Sequence, residues 1–139
     1  LKEKKLMFVN IDASKKLKAS IYLYKDKKNN CLINLHKVFE NETTFSGDDF
    51  FASFCKLRNW VYKKGQLFPM CKGALINVYP SRMSRQMSNG MKAYYLTLGK
   101  QAEMNDIVDI FEPIREDEII KLSTSEQQTE YFKKWIKSL

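Results

Sequence analysis

Apolar and polar residues exchange places along this chain with more than one period. Leu17, Ala19, Ile21 and Leu23 fall between Lys18, Ser20, Tyr22 and Tyr24, the two-residue period of a half-buried strand. A polar "DKKNN" follows, and then Cys31, Ile33, Leu35 and Phe39 alternate with Asn34, His36 and Val38, with Lys37 interrupting the inner row. Two alternating runs around a short polar turn predict a hairpin. With the apolar run Leu6 to Ile11 before it, residues 5–39 read as a three-stranded meander.

The period then lengthens. Phe50, Phe54, Leu57 and Val61 recur at helical spacing and predict an amphipathic helix over residues 48–64. Ser46 or Asp48 is placed to cap it, Asp48 and Asp49 suit its positive end, and Lys63, Lys64 and Gly65 mark its stop. "ALINVY" is almost continuously apolar and predicts a central strand buried on both faces; "AYYLTL" predicts another strand. "DIVDIFEP" reads as a short strand ended by Pro113 and "REDEIIKL" as a helical turn. "STSEQQTEYFKKWIKSL" reads as a final helix, capped through Ser123 with Glu126 or Thr124 with Gln127, with Tyr131 or Phe132, Trp135, Ile136 and Leu139 on its apolar face. The expected fold is α+β: a mostly antiparallel sheet of about five to six strands packed against a central and a C-terminal helix, in one domain over residues 1–139.

Composition narrows the classes. The chain is 44% hydrophobic, which suits a packed core, and its apolar runs are far too short to span a bilayer. Cys31, Cys55 and Cys71 are odd in number and none forms a C-x-x-C, so reduced thiols and a cytoplasmic setting are expected. The net charge is +8 but uneven: residues 1–37 carry +7, residues 73–100 carry +4 with no acid, and residues 101–122 carry −5. Such a basic body favours an anionic partner. Only four of the 24 cations are Arg, however, and the paired-oxygen recognition of phosphate favours Arg.

The acid-free stretch contains "YPSRMSRQMSNGMKAYYL", between two predicted strands. Pro80 stops a strand, Ser81 can cap a helix over 81–88, and Asn89-Gly90 can end it. On that helix Arg82 and Arg85 share one face and Met83 and Met87 another. Arg82, Arg85 and Lys92, with Ser81, Ser84 and the neighbouring Tyr79, form a candidate anion-binding set. Met83, Met87 and Met91 would add an adaptable apolar contact. The ordinary alternative is a connecting helix with its methionines in the core.

Little else points to chemistry. The one histidine, His36, sits on the polar side of a strand, so two-histidine metal and acid–base motifs are excluded. Asp106, Asp109 and Glu112 recur every third position but lack the density of a calcium loop; they read as solvated acids or as internal partners of the Arg82/Arg85 face. No nucleotide or nucleophile-elbow motif is present, so no metal or cofactor is expected. The expected function is therefore a small non-enzymatic protein that contacts an acidic protein surface, in the manner of a bacterial inhibitor or immunity protein. One alternative is a nucleic-acid-binding module on the Lys-rich N-terminal sheet, where Tyr22 and Tyr24 stand on a basic strand. Another is a small nuclease-like enzyme using Arg82, Arg85 and Tyr79.

Overall fold

A computed structural model describes residues 1–139. The expected α+β fold is present, with eight strands divided between two antiparallel sheets. Strands β1 (Lys2–Val9), β2 (Lys16–Lys25), β3 (Cys31–Val38), β4 (Glu40–Gly47) and the short β5 (Phe68–Pro69) form the larger sheet, in the order β4-β3-β2-β1-β5. β6 (Val78–Tyr79), β7 (Lys92–Tyr95) and β8 (Ile107–Asp109) form the smaller one. Helices α1 (Phe50–Gly65), α2 (Arg82–Ser88) and α3 (Ser125–Lys137) complete the set.

The alternation in β2 and β3 sets the larger sheet. Ile21 lies opposite Leu35 and Leu23 opposite Ile33, and all four are buried on the face that α1 covers. The expected three-stranded meander is four-stranded. "ENETTFSG" is β4, an edge strand that buries only Phe45, so its sequence carries almost no alternation signal. Lys37 and Phe39 adopt left-handed backbone at φ 61° and 65°. This turn sends Val38 inward and Phe39 outward against the Trp60 ring, reversing their expected sides.

Helix α1 starts two residues later than expected. Its cap is neither Ser46 nor Asp48 but Asp49, whose Oδ1 accepts from Ala52 N at 2.7 Å. Gly65 is its last residue, and Gln66 supplies the left-handed cap at φ 55°. Phe50, Phe54, Leu57 and Val61 are buried, as their spacing predicts.

"ALINVY" is the largest departure from expectation. Ala74, Leu75 and Val78 are buried and the rest half-buried, but it is not a central strand: a 3-10 turn over Lys72–Ala74 leads through an isolated bridge, Leu75 to Leu122, into the two-residue β6. A continuous apolar run reports burial and not conformation, and a largely buried turn satisfies it as well as a strand does. Gly73 permits this crossing, since a Cβ there would stand 2.7 Å from the Ile110 Cβ and 2.9 Å from its carbonyl oxygen. One continuous core then runs from Leu6 and Phe8 through Phe54 to Val78, Ala93 and Ile110, joining both sheets. α3 begins at the Thr124–Gln127 capping box, docks on α1 and β6, and leaves Ile136 and Leu139 exposed. No helix is long and apolar enough to cross a membrane.

Candidate functional site at helix α2

Helix α2 forms where the sequence places it. Ser81 caps it, its Oγ accepting from Ser84 N at 3.0 Å, and Asn89 closes it at φ 54°. Its serines are occupied with the helix itself. Ser84 Oγ donates to Ser81 O at 3.0 Å, Ser88 Oγ donates to Ser84 O, and Lys92 N donates to Ser88 Oγ at 3.0 Å.

None of the seven residues of α2 is buried, so the helix is held by its ends and by one ion pair. Arg85 Nε donates to Asp49 Oδ2 at 2.6 Å and its Nη2 to Asp49 Oδ1 at 3.2 Å. The same guanidinium lies 5.5 Å from the centre of the Phe51 ring. The hydrogen bond with Asp49 holds Arg85 above even its usual high range. Phe50 N donates to Asn89 O at 2.7 Å, and Lys25 Nζ to Asn89 Oδ1 at 3.0 Å. Gly90, at φ 78°, makes the approach possible: a Cβ there would stand 2.8 Å from Phe51 N and from Asp49 Cγ. Asp49 thus caps α1 and anchors α2 at once.

The candidate residues therefore separate. Arg85 is bound to Asp49, and Lys92 lies on β7 with its Nζ 3.6 Å from Asp109 Oδ2. None of Asp106, Asp109 and Glu112 pairs with Arg82 or Arg85, because Asp49 takes Arg85 and Asp109 meets Lys92 instead. Arg82 is exposed and forms no ion pair. Tyr79 is fixed by aromatic contacts, stacked on Phe132 at 4.2 Å and edge-on to Phe51 at 5.4 Å. Met91 packs against the core, whereas Met83 and Met87 are 68% and 81% exposed. The same Tyr79 and Ser81 border a groove of about 350 Å³ walled by Tyr94, Leu96, Phe132, Trp135 and Leu139. Trp135 is held there by donating Nε1–H to Thr97 O and Lys100 O at 3.0 and 2.9 Å.

Two buried polar clusters escaped the sequence reading. Lys72 Nζ donates to Glu118 Oε1 at 2.8 Å and to Tyr95 OH, while Tyr95 OH donates to Glu118 Oε2 at 2.9 Å. Burial alone would raise the Glu118 carboxyl. The hydrogen bonds from Lys72, the Arg115 N–H and Tyr95 outweigh it and hold that carboxyl at about 2. The second cluster centres on Arg58, buried on α1 with no carboxylate partner. Its Nη1 donates to Gln128 Oε1 at 2.7 Å and its Nη2 to Ser123 O at 2.9 Å, while Nε has no partner. Burial lowers the Arg58 pKa. Gln128 offered a faint signal, a polar residue four before Phe132 on the apolar stripe of α3. Lys72 and Glu118 offered none, since 46 positions separate them.

The thiols of Cys31, Cys55 and Cys71 are free, and burial raises all three, Cys71 to about 12. No protein-family model matches the chain, and no curated protein matches it in sequence.

Proposed function

We propose that this chain is a protein-binding domain that docks an acidic partner on α2 and the groove beside it, in the manner of an inhibitor or immunity protein. One observation carries the reading: Met83 and Met87 stand in solvent beside the unpaired Arg82, on a helix that buries nothing. A connecting helix with core methionines would show the reverse. Exposed methionine is an adaptable apolar contact, and a free guanidinium beside it favours a partner carboxylate. The Asp49–Arg85 pair fixes the backbone beneath, so little order need be gained on binding. A nuclease-like use of the same segment is weaker, because Asp49 occupies Arg85 and Phe132 stacks on Tyr79.

The test starts with a photo-crosslinker at position 87 and a control at the exposed position 63, at the end of α1 away from Asp49. A protein captured only from position 87 is purified, and its Kd is measured against the wild type and against Met83→Ser/Met87→Ser and Arg82→Ala. Loss of two exposed anchors at an interface centre should weaken binding at least tenfold. Both variants should keep the wild-type Tm. An unchanged Kd in both would overturn the proposal.

A further inference from the structure

The outer face of the five-stranded sheet is a separate surface, far in the sequence from the methionines of α2. Its occupants follow from the register. Tyr22 lies between Glu3 on β1 and Asn34 on β3, Ser20 lies opposite His36, and His36 lies opposite Glu42. Since Ile21 and Leu23 face the core, Lys16, Lys18, Ser20, Tyr22 and Tyr24 line the opposite side of β2, and none of the five is buried.

This side has built geometry. The Tyr22 ring stands 4.7 Å from the His36 ring. His36 Nε2 donates to Asn34 Oδ1, and the Asn34 amide donates to Glu42 Oε1 at 3.0 Å and to Thr44 Oγ1 at 2.9 Å. Asn34 is only 7% exposed, so the floor is fixed. Tyr22, Tyr24, Asn34, His36 and Glu42 wall a shallow hollow of about 260 Å³.

Charge is arranged around these rings. β2 contains three lysines and no acid, and Lys27 and Lys28 follow in the turn beyond Tyr24. Lys5 is paired with Glu3 at 3.0 Å and Lys16 with Glu116 at 3.6 Å, leaving Lys18, Lys27 and Lys28 without an ion pair. Of the acids of the face, Glu3 is paired with Lys5 and accepts from Tyr22, while Glu42 accepts from the neutral Asn34 amide and keeps its charge at the β4 side of the hollow. Free cations therefore flank two aromatic rings along one strand. Residues two apart on a strand stand about 6.8 Å apart, twice the 3.4 Å rise of a stacked nucleic-acid strand. An extended single strand can place successive bases on both rings; a duplex cannot. Lysine is depleted at protein–protein interfaces, so a face this rich in lysine disfavours a protein occupant.

We infer that this face binds single-stranded nucleic acid, with bases stacked on Tyr22 and Tyr24 and phosphates met by Lys18, Lys27 and Lys28. The intact chain is titrated, by fluorescence anisotropy, into labelled oligothymidylate and oligouridylate of about a dozen nucleotides and into a duplex of equal length. Both single strands, or one of them, should bind more tightly than the duplex, and the ratio between them names DNA or RNA as the source. Three phosphate contacts predict a slope of about −2 in log K against log salt, and Lys18→Ala should reduce it by about 0.7. Tyr24→Ala should weaken binding about fivefold or more, and Tyr24→Phe should retain it, because stacking needs the ring and not the hydroxyl. No affinity for either single strand at low salt overturns the inference. So does equal affinity for the duplex, or an unchanged Kd in Tyr24→Ala, either of which reduces the effect to general attraction by a basic surface.

Discussion

Arg58 takes its charge into the interior and meets only neutral groups there, two oxygens and the Cys55 thiol. A buried guanidinium without a carboxylate is costly, and what offsets the cost is the tie it makes between α1, the Ser123 carbonyl and Gln128, which in turn donates to Gly73 O and Leu75 O at 2.8 Å. Arg58→Ala should lose about 3 kcal/mol in urea unfolding, through a cavity and two orphaned acceptors. Arg58→Met should lose less, because its stem refills the space. Glu118 gives a pH signature. Its folded-state pKa, about 2, lies below the ordinary 4.5, so its stabilisation is present above pH 4.5 and is lost as pH falls towards 2. Thermal melts of the wild type should decline through that window, and Glu118→Gln should lack this part of the decline. An identical pH profile in the variant would mean that Glu118 contributes no linkage.

At the scale of elements, α2 shows how a helix of seven residues with nothing buried can hold its place. Isolated helices of this length do not form in water. Here the Ser81 cap closes one end, Asn89 and Gly90 close the other, and the Asp49 carboxylate grips the middle. Because Asp49 also caps α1, its removal should cost more than removal of Arg85. A double-mutant cycle with Asp49→Ala and Arg85→Ala should give a coupling of about 1–3 kcal/mol by chemical denaturation. A coupling near zero would show α2 to be held by its ends alone. The helix and both its caps were legible in the sequence because those signals are local. The fork to Asp49 was not, since 36 positions separate the two residues and other acids stood closer in the chain.

Across the whole molecule, stability should be graded by depth. The core runs without a break through α1 and the inner faces of both sheets, while α2 sits outside it. Native-state hydrogen exchange should therefore find the amides of β1–β3 and α1 the slowest and those of α2 the fastest among the helices. Equal protection of α2 and α1 would contradict a helix held only by its ends and one ion pair. The proposed protein-binding face thus lies on the least protected helix, above an anchored backbone.

Period and capping chemistry suffice to specify the strand pair β2–β3, the helices α1 and α3, and the short α2 with its Ser81 and Asn89 ends, because each of these signals spans only a few residues. Tertiary structure alone decided that "ALINVY" turns through the core, that polar "ENETTFSG" pairs as an edge strand, and that Arg58, Lys72 and Glu118 lie inside. It also decided that Arg85 is spent on Asp49 while Arg82, Met83 and Met87 face solvent. These outcomes depend on partners tens of residues away, and on which side of an element the rest of the chain happens to cover. Local sequence pattern encodes neither.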